Sequence, residues 1–231
     1  MSESVWLSKL IDKVLKRSDL RARVSRLALT ESIPFSKPFI TIAREPGSGG
    51  APIGKELAKK LGFEFYDQRI IDQIAKSSKL RREVVQNIDE KGRTAVQDFI
   101  QGVLNPNYVS DVTFVRYMTN VIVTLAYNGN AVILGRGANF LTPRSKGLHV
   151  RLTAPRSIRT ERAVKYEGVS LSKAREILKE VESDRRDFVR QYFSEDIRKA
   201  EHYDLTLNTA YFTVEESAEI ILKAYEKKLK K

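Results

Sequence analysis

The sequence predicts a three-layer α/β fold with about five parallel strands and helices on both faces. Three observations carry that expectation. Short apolar, β-branched runs such as Phe39–Ala43 and Ala131–Leu134 suit strands buried on both faces. Between the runs lie stretches with apolar residues at spacings of three and four, the period of a helix. The first run passes at once into Gly47-Ser48-Gly49-Gly50, where a helical pattern begins.

The chain opens with a basic arm, residues 1–37. Trp6, Leu7, Leu10, Ile11, Val14 and Leu15 form an apolar stripe among Lys9, Lys13, Lys16 and Arg17, and Leu20, Val24 and Leu27 follow in a second piece. A basic amphipathic helix of this kind docks on its own domain, on a second subunit or on a membrane. It is a candidate homodimer contact. Pro34 and Pro38 mark a linker, and residues 38–231 read as one domain.

After the first strand, Pro46 ends the run and Ile53, Leu57, Ala58 and Leu61 mark the core side of a helix that Pro52 can open. Strand, glycine loop and helix together aim backbone N–H groups and a helix N-terminus at a phosphate. Gly49-x-x-x-x-Gly54-Lys55 fits a phosphate-loop pattern until Glu56 stands where Ser or Thr is required. Lys55 also lies roughly 200° from Ile53, away from the core. A dinucleotide reading has Gly47, Gly49 and Asp67 in place, but Pro52 replaces its third glycine. The preferred reading puts the loop apex at Gly47–Gly50, and a glycine turn without a ligand is the bland alternative.

Phe63–Tyr66 reads as a second strand ending at Asp67, which either caps the next helix or faces a ligand. Arg69 follows it, and a guanidinium can hold a phosphate by two parallel bonds. Residues 76–112 are polar, broken by Gly92, Gly102 and Asn105-Pro106. Thr113–Tyr127 is a clear helix closed by Asn128-Gly129-Asn130. Ala131–Leu134 then repeats the first strand, with Gly135-Arg136-Gly137 at its end to clear space and meet an anion. Leu148–Leu152 is a fourth strand. Ser157–Lys165 and Ser172–Arg190 form a helical hairpin rich in arginine, and Tyr203–Leu207 and Val214–Leu229 close the domain as strand and helix.

Three motifs taken in order, Ile40 to Gly50, Phe65 to Arg69 and Val132 to Asn139, resemble the cytidylate-kinase-like family of P-loop nucleoside monophosphate kinases. The resemblance spans roughly residues 38–229. It implies a P-loop NTPase-type fold with an acceptor-side helical insert at 76–130 and a helical lid at 156–190. It further implies ATP and Mg²⁺ as cofactors, and phosphoryl transfer to a nucleoside monophosphate, CMP or dCMP in first place. Laid without a gap over the better-known cytidylate kinases, which it resembles, the chain has Gly50 where those enzymes have the catalytic lysine, and Pro52 where they have the Mg²⁺-binding threonine. Arg159, Arg162, Arg186, Asp187 and Arg190 fall on charged lid positions.

On this reading the loop residues Gly47, Ser48, Gly49, Gly50 and Ala51 cradle the donor phosphates, chiefly through the N–H groups of Ser48 to Ala51. Arg69 and Arg136 hold the acceptor phosphate, with Asp67 and Gly137 beside them. The lid arginines stabilise the transferring group. Arg44, leaving the first strand just before the loop, is expected to fold back over the anion and supply the charge of the missing lysine. Two alternatives stand beside this: a nucleotide-binding sensor without transferase activity, and a kinase of a different small phosphate acceptor.

Composition sets the outer bounds. With 231 residues and a net charge of +12, the chain can bury a large core and favours anionic partners. Nucleic acid is not the expected partner, because no basic strand carries interleaved aromatics. There is no cysteine and only two histidines, so thiolate metal sites and histidine metal clusters are excluded. No apolar run approaches the ~20 residues of a membrane span. Glu3 and Asp12 break any signal-peptide centre, so a cytoplasmic protein is expected.

Overall fold

The structure is a computed structural model that describes Phe35 and residues 37–86 and 112–229. Residues 1–34 and 36 of the N-terminal arm, with the dimer contact expected of its helices, and insert residues 87–111 lie outside the described residues. Five strands form one sheet: β1 (Phe39–Arg44), β2 (Glu64–Tyr66), β3 (Ala131–Leu134), β4 (Gly147–Thr153) and β5 (Leu205–Asn208). Their order is β2-β3-β1-β4-β5, and every pairing is parallel. β1 is therefore central, and the loop that leaves it lies at the middle of the sheet's carboxyl edge, where open α/β sheets bind ligands.

Seven helices are described: α1 (Gly50–Leu61), α2 (Gln68–Lys76), α3 (Ser78–Gln86), α4 (Val112–Asn128), α5 (Arg156–Glu167), α6 (Leu171–Phe193) and α7 (Val214–Leu229). Alternation along β1 divides the core. Ile40 and Ile42 pack with Ile53 and Leu57 of α1 and Ile221 of α7 on one face. Phe39 packs with Ile71 of α2, Met118 and Ile122 of α4 and Phe193 of α6 on the other. Burying side chains such as Ile53 and Leu57 contributes roughly 1.5–3 kcal/mol each. α4, although inside the span expected as an acceptor-side insert, is thus a core helix.

Helix ends follow local chemistry. Asp67 accepts from the Ile70 N–H at 3.0 Å and caps α2, while Ser170 caps α6 through the Lys173 N–H at 3.3 Å. The last strand starts two residues later than expected. Asp204 bonds the β4 main chain, its N–H donating to the His149 carbonyl at 2.8 Å, and its carboxylate accepts from the His149 N–H and pairs with Lys228.

His149 is fully buried in β4, its Nδ1 lying 2.6 Å from Thr41 Oγ1. Burial, only partly offset by Asp204, pushes its pKa down to about 3. An unfolded histidine titrates near ~6.5, so below that pH the unfolded chain takes up a proton that the folded chain refuses. Stability is therefore lost as pH falls from about 6.5 towards about 3. On the order of 2 kcal/mol should disappear between about pH 7 and about pH 5, read by urea unfolding. His149→Gln should flatten that slope, and an unchanged slope would assign the loss to other groups.

Candidate active site

The glycine loop is held from inside. Ser48 is fully buried, and both its N–H and its Oγ donate to the Glu45 carbonyl, at 3.2 and 2.8 Å. Gly47 and Gly49 take positive φ of 79° and 82°, which side-chain-bearing residues adopt at a cost. α1 then begins with no side-chain cap, leaving its first-turn N–H groups open to an anion. Lys55 is exposed on α1.

The lid hairpin lies directly on this loop. A Cβ on Gly47 would meet the Arg159 carbonyl at 2.8 Å. Arg162 donates to the Gly47 carbonyl at 3.4 Å and to Thr209 Oγ1 and carbonyl at 3.0 and 2.8 Å, and Thr209 Oγ1 donates to the Ser48 carbonyl at 2.9 Å. Arg159 is only 6% exposed and donates to the Ala154 and Pro46 carbonyls, with Glu182 and Glu45 as ion-pair partners. In the state described, Arg159 and Arg162 thus bond the loop's own carbonyls, at Pro46 and Gly47.

Arg44 leaves β1 and runs across the top of the sheet. Its Cγ and Cβ would lie 2.8 and 3.1 Å from a Cβ on Gly50, and its Cζ 3.0 Å from a Cβ on Gly135. The guanidinium ends against Gln68, with Nη2 donating to Oε1 at 3.3 Å. Arg185 of α6 donates to the Arg44 carbonyl at 2.9 Å. Burial, then the like charges of Arg185 and Arg136, pushes the Arg44 pKa down to about 9. The Arg185 pKa is lowered too, by burial and by Arg136. Crowded cations in a poorly solvated place are costly without an anion, and a bound anion would remove that cost.

Arg136, with positive φ of 54°, forms a two-bond ion pair with Asp72 through Nε and Nη2, the Nε bond at 2.9 Å. This leaves the outer Nη1–Nη2 edge of its guanidinium for a ligand. Phe188 supports it from below, the ring centroid 5.5 Å from Cζ.

Arg44, Arg136 and Arg185, with Gln68, Asn139 and Asp184, line a cavity of about 470 Å³ between the carboxyl ends of β1 and β3 and the covering helix α6. A second cavity of about 310 Å³ lies on the β4 side, where Arg151, Arg159, Arg186 and Arg198 join Arg44 and Arg185 against Glu45 and Glu182. Arg44 and Arg185 belong to both cavities. Such an excess of guanidinium over carboxylate suits phosphate groups.

Several expected site residues stand elsewhere. Asp67 is occupied as the α2 cap, and Arg69 is exposed on α2. Arg186 reaches the second cavity, but Asp187, accepting from Ser183 Oγ at 3.1 Å, and Arg190 are exposed on α6. The glycines after β3 line the first cavity, and each also clears room for a protein side chain: Gly135 for Arg44, and Gly137 for Phe193, whose ring a Cβ there would strike. Neither cavity is lined by residues 47–51. Arg185 and Gln68 were not expected. Arg185 could have been found, because it shares a helical stripe with the buried Leu178, Val189 and Phe193, while Asp187 and Arg190 fall off it.

The sheet order and the glycine loop define a P-loop NTPase-type α/β fold. The chain belongs to the cytidylate kinase-like family, whose model matches residues 39–211. A cytidylate kinase of Pyrococcus horikoshii is 28% identical over 184 residues, covering 79% of this chain and 85% of that protein. One from Ignicoccus hospitalis is 25% identical, covering 79% and 95%. Among solved structures, an uncharacterized protein from Eubacterium ventriosum superposes with a TM-score of 0.60 at 21% identity, covering 81% of this chain and 97% of that one. No helix among the described residues is long and apolar enough to cross a membrane.

Proposed function

We propose that the chain transfers a phosphoryl group from magnesium-bound ATP to a nucleoside monophosphate, with CMP or dCMP as the acceptor, in the cytoplasm. The observation that carries this reading is the convergence of Arg44, Arg136 and Arg185 on one cavity beside the glycine loop. The family match and the cytidylate kinases among its relatives support it.

The α1 end fits the donor's phosphates, being uncapped and free of side chains at Gly49 and Gly50. No described cluster of three or more His, Asp or Glu side chains forms a cage, so magnesium would be held largely by nucleotide oxygens and water. Once bound, the ion would supply positive charge against that developing on the phosphates. The outer edge of Arg136 and the guanidinium of Arg185 hold the acceptor phosphate. One acceptor oxygen forms the new bond to the terminal phosphorus as the bond to the bridging oxygen breaks and its electron pair leaves with ADP. That oxygen is already ionised, so no strong general base is required. Arg44, between the cavities, faces the group in transit. α6 excludes water, and Arg159 and Arg162 fix the loop.

A second reading, a sensor that binds nucleotide without transfer, draws on the clamped loop and the absence of a lysine at Gly50. ADP formation measured across CMP, dCMP, UMP, AMP and non-nucleotide phosphates separates the two. Turnover greatest with CMP or dCMP is expected. ATP binding without ADP formation on any acceptor would select the sensor, and turnover on a non-nucleotide alone would select a kinase of another acceptor.

A further inference from the structure

The glycine at position 50 has no backbone reason to be there. It lies in the first turn of α1 with a negative φ, a conformation any residue adopts and alanine favours over glycine. What it lacks is space. A Cβ there would fall 2.8 Å from Arg44 Cγ, 3.1 Å from Arg44 Cβ and 3.4 Å from Leu134 Cδ1. The two nearest atoms belong to the root of the arginine, so no small movement of its tip relieves them. At the other end, Arg44 Nη1 occupies the place of a Cβ on Gly135. The side chain is threaded between two glycines on different strand–helix units and ends at Gln68 of the first cavity, while Arg44 itself lines both cavities.

We infer that Gly50 and Gly135 are positioning residues that form a slot for Arg44, so that the cation serving the donor phosphates is carried by strand β1 and a side chain on α1 at position 50 is excluded while Arg44 is present. The missing lysine and the threaded arginine are then one arrangement. This inference rests on the phosphoryl-transfer reading for the role of the charge, but not for the packing.

A double-mutant cycle tests it, with Gly50→Ala, Arg44→Ala and the double variant compared in the full chain by melting temperature, calorimetric ATP affinity and turnover with CMP. Gly50→Ala alone should lower the melting temperature and reduce turnover at least tenfold, chiefly in kcat, because it displaces Arg44. In the Arg44→Ala background the same change should alter turnover less than twofold and leave the melting temperature level or higher. Arg44→Ala with Gly50→Lys should recover at least tenfold over Arg44→Ala, whereas Gly50→Lys alone should stay below the unmodified protein. Additive effects of the first two substitutions, in melting and in ATP affinity, would overturn the slot. Absence of turnover by the unmodified protein on every monophosphate would overturn the kinase reading instead, and the melting cycle would still decide the packing.

Discussion

Truncating Arg44 to alanine should lower turnover with ATP and CMP by about 10²–10³, the scale of losing one preorganised charged donor, roughly 2.7–4 kcal/mol. The side chain lies on the wall between both cavities and its guanidinium is crowded by Arg136 and Arg185. That like-charge crowding is tolerable for a group that meets an anion in the working state. Arg44→Lys should recover only part of the loss, because an ammonium cannot span Gln68 and a phosphate as a planar fork can. Lys55→Ala is the control. Exposed on α1, it should change turnover less than twofold, and a larger effect than Arg44→Ala would restore the register that ends at Lys55.

Arg136→Ala should act on the acceptor. Loss of charge-assisted hydrogen bonds worth roughly 1.5–3 kcal/mol weakens CMP binding about tenfold to a hundredfold, with the KM for ATP within about twofold. The substitution also leaves Asp72 without its partner in a partly buried place, so some stability is lost with it. Asp72→Asn separates the two effects, keeping Arg136 charged while removing the ion pair. CMP affinity in Asp72→Asn should fall much less than in Arg136→Ala. Equal losses would give Arg136 a structural role alone.

The strands were legible because the centre of a parallel sheet is read by burial on both faces. Ala131–Leu134 is buried at all four positions and has the bounds the sequence predicts. β5 was misplaced because it is an edge strand whose beginning is set by the Asp204 bonds to His149 and Lys228, across long stretches of chain. Arg136 and Arg44 could be chosen as candidates because they sit at strand ends beside glycines. What those glycines accommodate was not legible: Gly135 faces Arg44 from another strand, and Gly137 faces Phe193 from α6. The lid arginines were placed by resemblance, which cannot tell a guanidinium spent on carbonyls, as at Arg159 and Arg162, from one aimed at a ligand. Helical phase would have picked out Arg185, but a run of charged residues reads first as a solvated face.

The central claim is that the cavity under α6 at the ends of β1 and β3 receives the acceptor's phosphate. A crystal structure with CMP bound tests it most directly. The account predicts the CMP phosphate within hydrogen-bonding distance of Arg136 and Arg185, with Arg136 still paired to Asp72 through its inner edge. A CMP phosphate bound elsewhere, with Arg185 still on the Arg44 carbonyl and the cavity holding only water, would contradict it.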